Sequence, residues 1–153
     1  MWFLAIFGKM VEDSFGRLAY LGFYIAGGFA AAALQAATTL IAGTAADAAV
    51  PTLGASGAIA AVLGAYWILY PGASILTLVA IFPIRIPAWV FLGLWFVYQL
   101  IEANLGLFSA GRDNGGTAFF AHVGGFAFGA VVAVVLVRSG RREGRFGRLQ
   151  PAG

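Results

Sequence analysis

Ser56 stands in Gly54-Ala55-Ser56-Gly57, where a loop of small residues (Ala42 to Ala55) gives way to a short apolar helix. His122, the single histidine of the chain, stands in Ala121-His122-Val123-Gly124-Gly125 near the start of another apolar segment. A hydroxyl beside a neutral imidazole is the pair that nucleophilic catalysis uses: the ring takes the proton and the oxygen attacks an acyl carbon. A helix starting at the serine favours the negative charge that develops during such an attack. Each residue also has a plainer reading. Serine packs between membrane helices or caps them, and an intramembrane histidine also serves in packing, as a lone haem or metal ligand, or as a proton relay. No second His, Cys or carboxylate lies within helical reach of His122, which argues against a metal. The glycines around Ser56 and its pairing with a buried histidine favour catalysis. Asp47 and Asp113 lie in loops and Glu102 near the end of its segment, so a Ser-His dyad is expected and not a triad.

Composition fixes the solvent in which this pair must work. Of 153 residues, 61% are hydrophobic and only 10% charged, against about 25% charged in soluble domains. The apolar residues fall in long uncharged blocks of the length that spans a bilayer. The chain reads as an integral membrane protein in a lipid bilayer, with one compact bundle (1–138) and a basic tail (139–153). It has no cysteine, which excludes disulfides, thiolate metal sites and cysteine nucleophiles. The net charge of +3 comes largely from the tail arginines, so it does not mark a nucleic-acid surface.

The segments follow from charge and proline. Met1 to about Met10 reads as half a helix without signal-peptide character, so the chain is expected to begin inside an element whose first half is missing. Lys9 to Arg17 reads as a polar loop. Leu18 to Ile41 is a full span rich in Ala and Gly, and Ala42 to Pro51 is weakly polar. Gly57 to Tyr70 ends at Pro71-Gly72, a stop signal. Fourteen residues reach about 21 Å, short of a hydrocarbon core of about 30 Å. Ser56 is therefore expected at the bottom of a pit, since irregular backbone at depth needs protein or water around it. Ala73 to Ile86 is an apolar connection, extended or re-entrant, broken by Pro83. Pro87 to Asn104 is an aromatic-rich span whose rings read as lipid-facing bulk or as a side wall to the site. Gly106 to Gly116 is a polar loop, Thr117 to Val137 the last span, and Arg138 to Arg148 a basic tail that touches anionic lipid.

With the tail in the cytoplasm, alternation places every basic residue except Arg112 inside, as the positive-inside rule expects. Ser56 and the start of the His122 helix then open on the outer face at similar depth. Two stripes of small residues, Gly57/Ala61/Gly64 and Ala121/Gly125/Gly129, would let the two helices approach backbone to backbone. Arginine in excess over lysine and the Ala/Gly-rich composition suggest a bacterial cytoplasmic membrane.

Taken together, Gly54-Ala55-Ser56-Gly57-Ala58-Ile59 and Ala121-His122-Val123-Gly124-Gly125-Phe126-Ala127-Phe128-Gly129 resemble the rhomboid intramembrane serine proteases. Phe7-Gly8-Lys9-Met10-Val11-Glu12-Asp13 is similar to the end of that family's second core helix. The resemblance covers nearly the whole chain. It implies an all-α polytopic bundle, here with about four full spans plus a partial N-terminal helix. It further implies cleavage of substrate transmembrane segments near the outer face by a Ser-His dyad without a cofactor. Ser56 is similar to the nucleophile, His122 to the general base, Gly54 to a residue lining the oxyanion region, and the Ser56 backbone N–H to an oxyanion donor. Two departures stand out. The family's side-chain oxyanion donors would lie upstream of Met1, and the position four after the nucleophile, often a tyrosine packed on the histidine, is Ala60.

Two rival functions remain open on the sequence. One is a proteolytically inactive relative that binds transmembrane segments. The other is a pore or transporter subunit with His122 as proton relay, although the chain has no repeat or paired broken helices to support it. Substrate identity, pathway and oligomeric state are not legible.

Overall fold

The computed structural model describes residues 3–42, 55–79, 82–108 and 119–139. Gly54, Asp47, Asp113 and the tail arginines from Arg141 onward lie outside the described residues. Among the described residues, five α-helices and one β-hairpin follow each other in chain order. A π-helical turn, Leu4–Gly8, runs without a break into α1 (Lys9–Phe15). Then come α2 (Arg17–Ala42), α3 (Ser56–Leu69), the strands β1 (Ser74–Val79) and β2 (Phe82–Pro87), α4 (Ala88–Phe108) and α5 (Phe119–Arg138).

The polar stretch expected as a loop is helical at α1. Lys9, Glu12 and Asp13 are on a helix, not in a loop, because charged residues at the end of an amphipathic turn keep helical backbone while one side faces the core. Phe7 and Val11, four apart, are fully buried there. The helix stops at Gly16, whose φ of 79° is a left-handed conformation that suits glycine, and the Gly16 N–H donates to the Glu12 carbonyl at 2.7 Å. Chain direction reverses there into α2.

Among the described residues, α2 and α5 are the two helices long and apolar enough to cross a membrane by themselves. Fourteen-residue α3 lies at the centre of the bundle, with every residue from Gly57 to Tyr66 buried except Ile59. A helix apolar all round belongs inside, and Ser-Gly-Ala-Ile-Ala-Ala-Val-Leu-Gly-Ala supplies no polar face. Small side chains set its spacing to both neighbours. A methyl on Gly57 would collide with Ala31 of α2, one on Gly27 of α2 would lie 2.6 Å from Ala61, and one on Gly124 of α5 would lie 2.8 Å from Leu34.

The lower end of α3 is tied to the chain start by side-chain hydrogen bonds. Tyr70 Oη donates to the Met10 carbonyl at 3.1 Å and lies 2.6 Å from Ser14 Oγ, while Tyr66 Oη reaches Met10 Sδ at 3.5 Å. The connection after Pro71 is extended, one of the two forms expected. It is an antiparallel hairpin with register from Ser74↔Pro87 to Val79↔Phe82, an addition to the all-α expectation. Ile, Thr and Val favour the strand, and the two prolines are tolerated because each strand of a two-stranded ribbon has an open edge. The hairpin is anchored where it meets the bundle. Ala88 N donates to Ala73 O at 2.8 Å, Trp89 N to Pro71 O at 3.2 Å, and Trp67 Nε1 to Trp89 O at 3.1 Å. From there α4 runs four residues past the expected Asn104, because Leu105, Leu107 and Phe108 continue its apolar sequence.

Candidate active site

Two helix starts make the site. Ala55 is the N-cap of α3 and provides no side-chain cap, so Ser56 is the first helical residue and not a capping serine. The first intrahelical bond comes from the Ile59 N–H to the Ala55 carbonyl at 2.9 Å. The N–H groups of Ser56, Gly57 and Ala58 therefore have no partner inside the helix. These donors and the helix dipole give the Ser56 end a positive character.

The start of α5 lies against it. A methyl on Gly125 would collide with the Gly57 carbonyl, one on Gly64 with the Phe126 carbonyl, and one on Gly129 with the Ala61 carbonyl. A methyl on Gly57 would stand 3.5 Å from the Ala121 carbonyl. The two small-residue stripes thus meet over about two turns, with α3 and α5 running parallel. The contact involves Gly57, next to Ser56, and Ala121, next to His122. Ser56 itself is exposed, and among the described residues no hydrogen bond joins it to His122.

His122 is half-buried and held from α4. Its Nδ1 lies 2.9 Å from Gln99 Oε1, and the Trp95 ring stands 6.0 Å from the imidazole, centroid to centroid. Trp95 and Gln99 are four apart and share a face of α4. His122 and Phe126, four apart on α5, complete the contact: Trp95 lies 6.0 Å from Phe126, and Phe96 stacks on Phe126 at 4.5 Å. Trp95 thus walls the His122 ring and Phe96 packs on Phe126, whereas Trp89 and Tyr98 are exposed. The ring that lies against His122 belongs to Trp95 of α4. Ala60 is buried and faces Gly125.

A second amide fixes the same turn. Gln35 of α2 accepts a hydrogen bond through Oε1 from the Ala121 N–H at 3.2 Å, satisfying one free donor of the first turn of α5. The chain has glutamine in only two of its apolar spans, and both converge on the turn that carries its one histidine. Neither glutamine figures among the candidates drawn from residue type and spacing. Their signal was present: a polar residue in an otherwise apolar span is costly and rarely idle. Glu102 is half-buried on α4, one turn beyond Gln99, with no ion pair among the described residues.

A known family description, Rhomboid domain, matches residues 1–139. The chain belongs to the rhomboid family. No curated protein and no solved structure matches it. Rhomboid membership brings a polytopic membrane fold, which the apolar α2 and α5 fit. The family includes serine proteases, and the match spans both helix starts described above.

Proposed function

We propose that this rhomboid protein is an intramembrane serine endopeptidase that hydrolyses peptide bonds in transmembrane segments of other membrane proteins. One observation carries the reading: the backbone contact of Gly57 with Ala121 and Gly125 sets a serine and the sole histidine on adjoining helix turns. In the proposed reaction His122 Nε2 takes the Ser56 Oγ proton as the oxygen attacks the scissile carbonyl carbon. The tetrahedral oxyanion forms beside the positive start of α3, where the Ser56 N–H is a donor. His122 then gives the proton to the leaving amine, and the acyl-enzyme forms. Water, deprotonated by the same ring, hydrolyses that ester and returns Ser56. No step needs a metal or cofactor.

The proposed orientation puts this chemistry at the outer face with the C-terminus in the cytoplasm, because α3 and α5 both run from the site towards the Arg138 end. The test is cleavage of a single-span substrate in proteoliposomes. The reading expects product from the parent chain and none above background from Ser56→Ala or His122→Ala. Undiminished cleavage by Ser56→Ala would refute it. The exposed Ser56, without a hydrogen bond to His122, favours a second reading, a binding protein for transmembrane segments without proteolysis. That reading expects substrate to co-purify intact with the parent chain and both variants.

A further inference from the structure

Gln99 is the buried polar side chain of the described core, 5% exposed. Burying an amide in an apolar bundle is unfavourable unless it is hydrogen-bonded, and its Oε1 has His122 Nδ1 as partner at 2.9 Å. A carbonyl oxygen only accepts. The ring nitrogen facing it must therefore carry the proton, and in a neutral imidazole the other nitrogen must then be the lone-pair base. We propose that Gln99 is a positioning residue that fixes His122 as the Nδ1–H tautomer and leaves Nε2 free to accept a proton.

The neighbouring contacts narrow the ring's freedom further. Trp95, one turn before Gln99, lies against the imidazole, and Gln35 holds the backbone of the same turn through the Ala121 N–H. Ring rotation about the Cβ–Cγ bond would exchange Nδ1 for carbon at Gln99 and leave the buried amide oxygen without a partner. In water-accessible serine hydrolases the group behind the histidine is commonly a carboxylate, which both orients the ring and stabilises the imidazolium. A neutral amide does only the first. It suits a half-buried apolar site, where a carboxylate would need its own desolvation compensated. The assignment rests on the protease reading for its purpose, but the tautomer itself is a property of the resting protein.

The amide has two faces, and that makes the proposal testable. If its NH₂ group faced the ring, Nδ1 would be the acceptor and Nε2 would hold the proton, leaving no base for Ser56. Because His122 is the only histidine, ¹⁵N-histidine labelling of the full chain in lipid nanodiscs gives one imidazole to observe by NMR. The parent is expected to show a protonated Nδ1 and a bare Nε2. Gln99→Glu, whose oxygens only accept while the carboxylate is ionised, keeps that tautomer above the pH at which the carboxyl protonates. Gln99→Leu, which has neither, releases the ring to an Nε2–H or mixed population. Fluorophosphonate labelling of Ser56 follows the same order: it falls about tenfold in Gln99→Leu and is retained in Gln99→Glu. A parent ring protonated at Nε2 overturns the proposal, and so does an unchanged tautomer in Gln99→Leu. The spectrum of the parent decides even if Gln99→Leu misfolds. An unreactive Ser56 with the expected tautomer would count against the protease reading and leave the role of Gln99 standing.

Discussion

The turn holding His122 depends on single side chains from two other helices, and their effects separate. Gln35 touches backbone and Gln99 touches the ring. Replacing Gln35 by Leu strands the Ala121 N–H at a position only 5% exposed. An unsatisfied buried donor costs about 1–3 kcal/mol, so Gln35→Leu is expected to lower the unfolding midpoint in mild detergent while leaving the His122 tautomer unchanged. A midpoint equal to the parent's would show that this hydrogen bond contributes nothing. The residue scale was also where sequence reasoning was least complete. Ser56 and His122 stood out because their side chains have familiar chemistry. Gln99 did not, because a glutamine has no charge, no nucleophile and no period of its own. Only the packing of α4 on α5 reveals what it faces.

Among the elements, α3 and α5 carry the account. Their glycines at Gly64, Gly125 and Gly129 are in contact with carbonyl groups of the opposite helix, so any side chain there forces the backbones apart. Overpacking of this kind costs about 1–3 kcal/mol or more. Gly129→Leu, two turns below the site, is expected to destabilise the protein by at least that amount and to abolish the proposed activity by separating the two helix starts. Gly22→Ala in α2, where nothing lies within 4 Å, is the matched control and is expected to shift stability by less than about 1 kcal/mol. Thermal unfolding of both variants in detergent tests the pair, and equal stability would contradict the packing argument. This much of the fold was readable in advance, since small residues at i, i+4 and i+7 or i+8 leave a membrane helix one way to pack. The ends of the elements were less readable. Charged Lys9, Glu12 and Asp13 look like a loop until Phe7 and Val11 are seen buried on the same helix. The hairpin from Ser74 to Pro87 was ambiguous because a short apolar run with prolines fits an extended or a re-entrant path equally well.

For the molecule as a whole, the arrangement is a central short helix enclosed by longer apolar ones. Parallel α3 and α5 start together at the site, antiparallel α2 packs across both, and α4 closes the side with aromatic rings and one amide. A hydrophilic reaction inside such a bundle needs a polar group at each point where protons move, and the adjoining helix starts gather a hydroxyl, an imidazole, two amides and the free N–H groups of α3. The chain belongs to the rhomboid family, and the peptidase proposed for it would use these groups. The most direct test is covalent capture of Ser56 by a fluorophosphonate probe in native-like membranes, read by mass spectrometry of the Ser56 peptide. A Ser56-His122 nucleophile-base pair gives an adduct on Ser56 in the parent chain that is lost in Ser56→Ala and in His122→Ala. An unmodified Ser56 in the parent, or an adduct that forms equally well in His122→Ala, would contradict it.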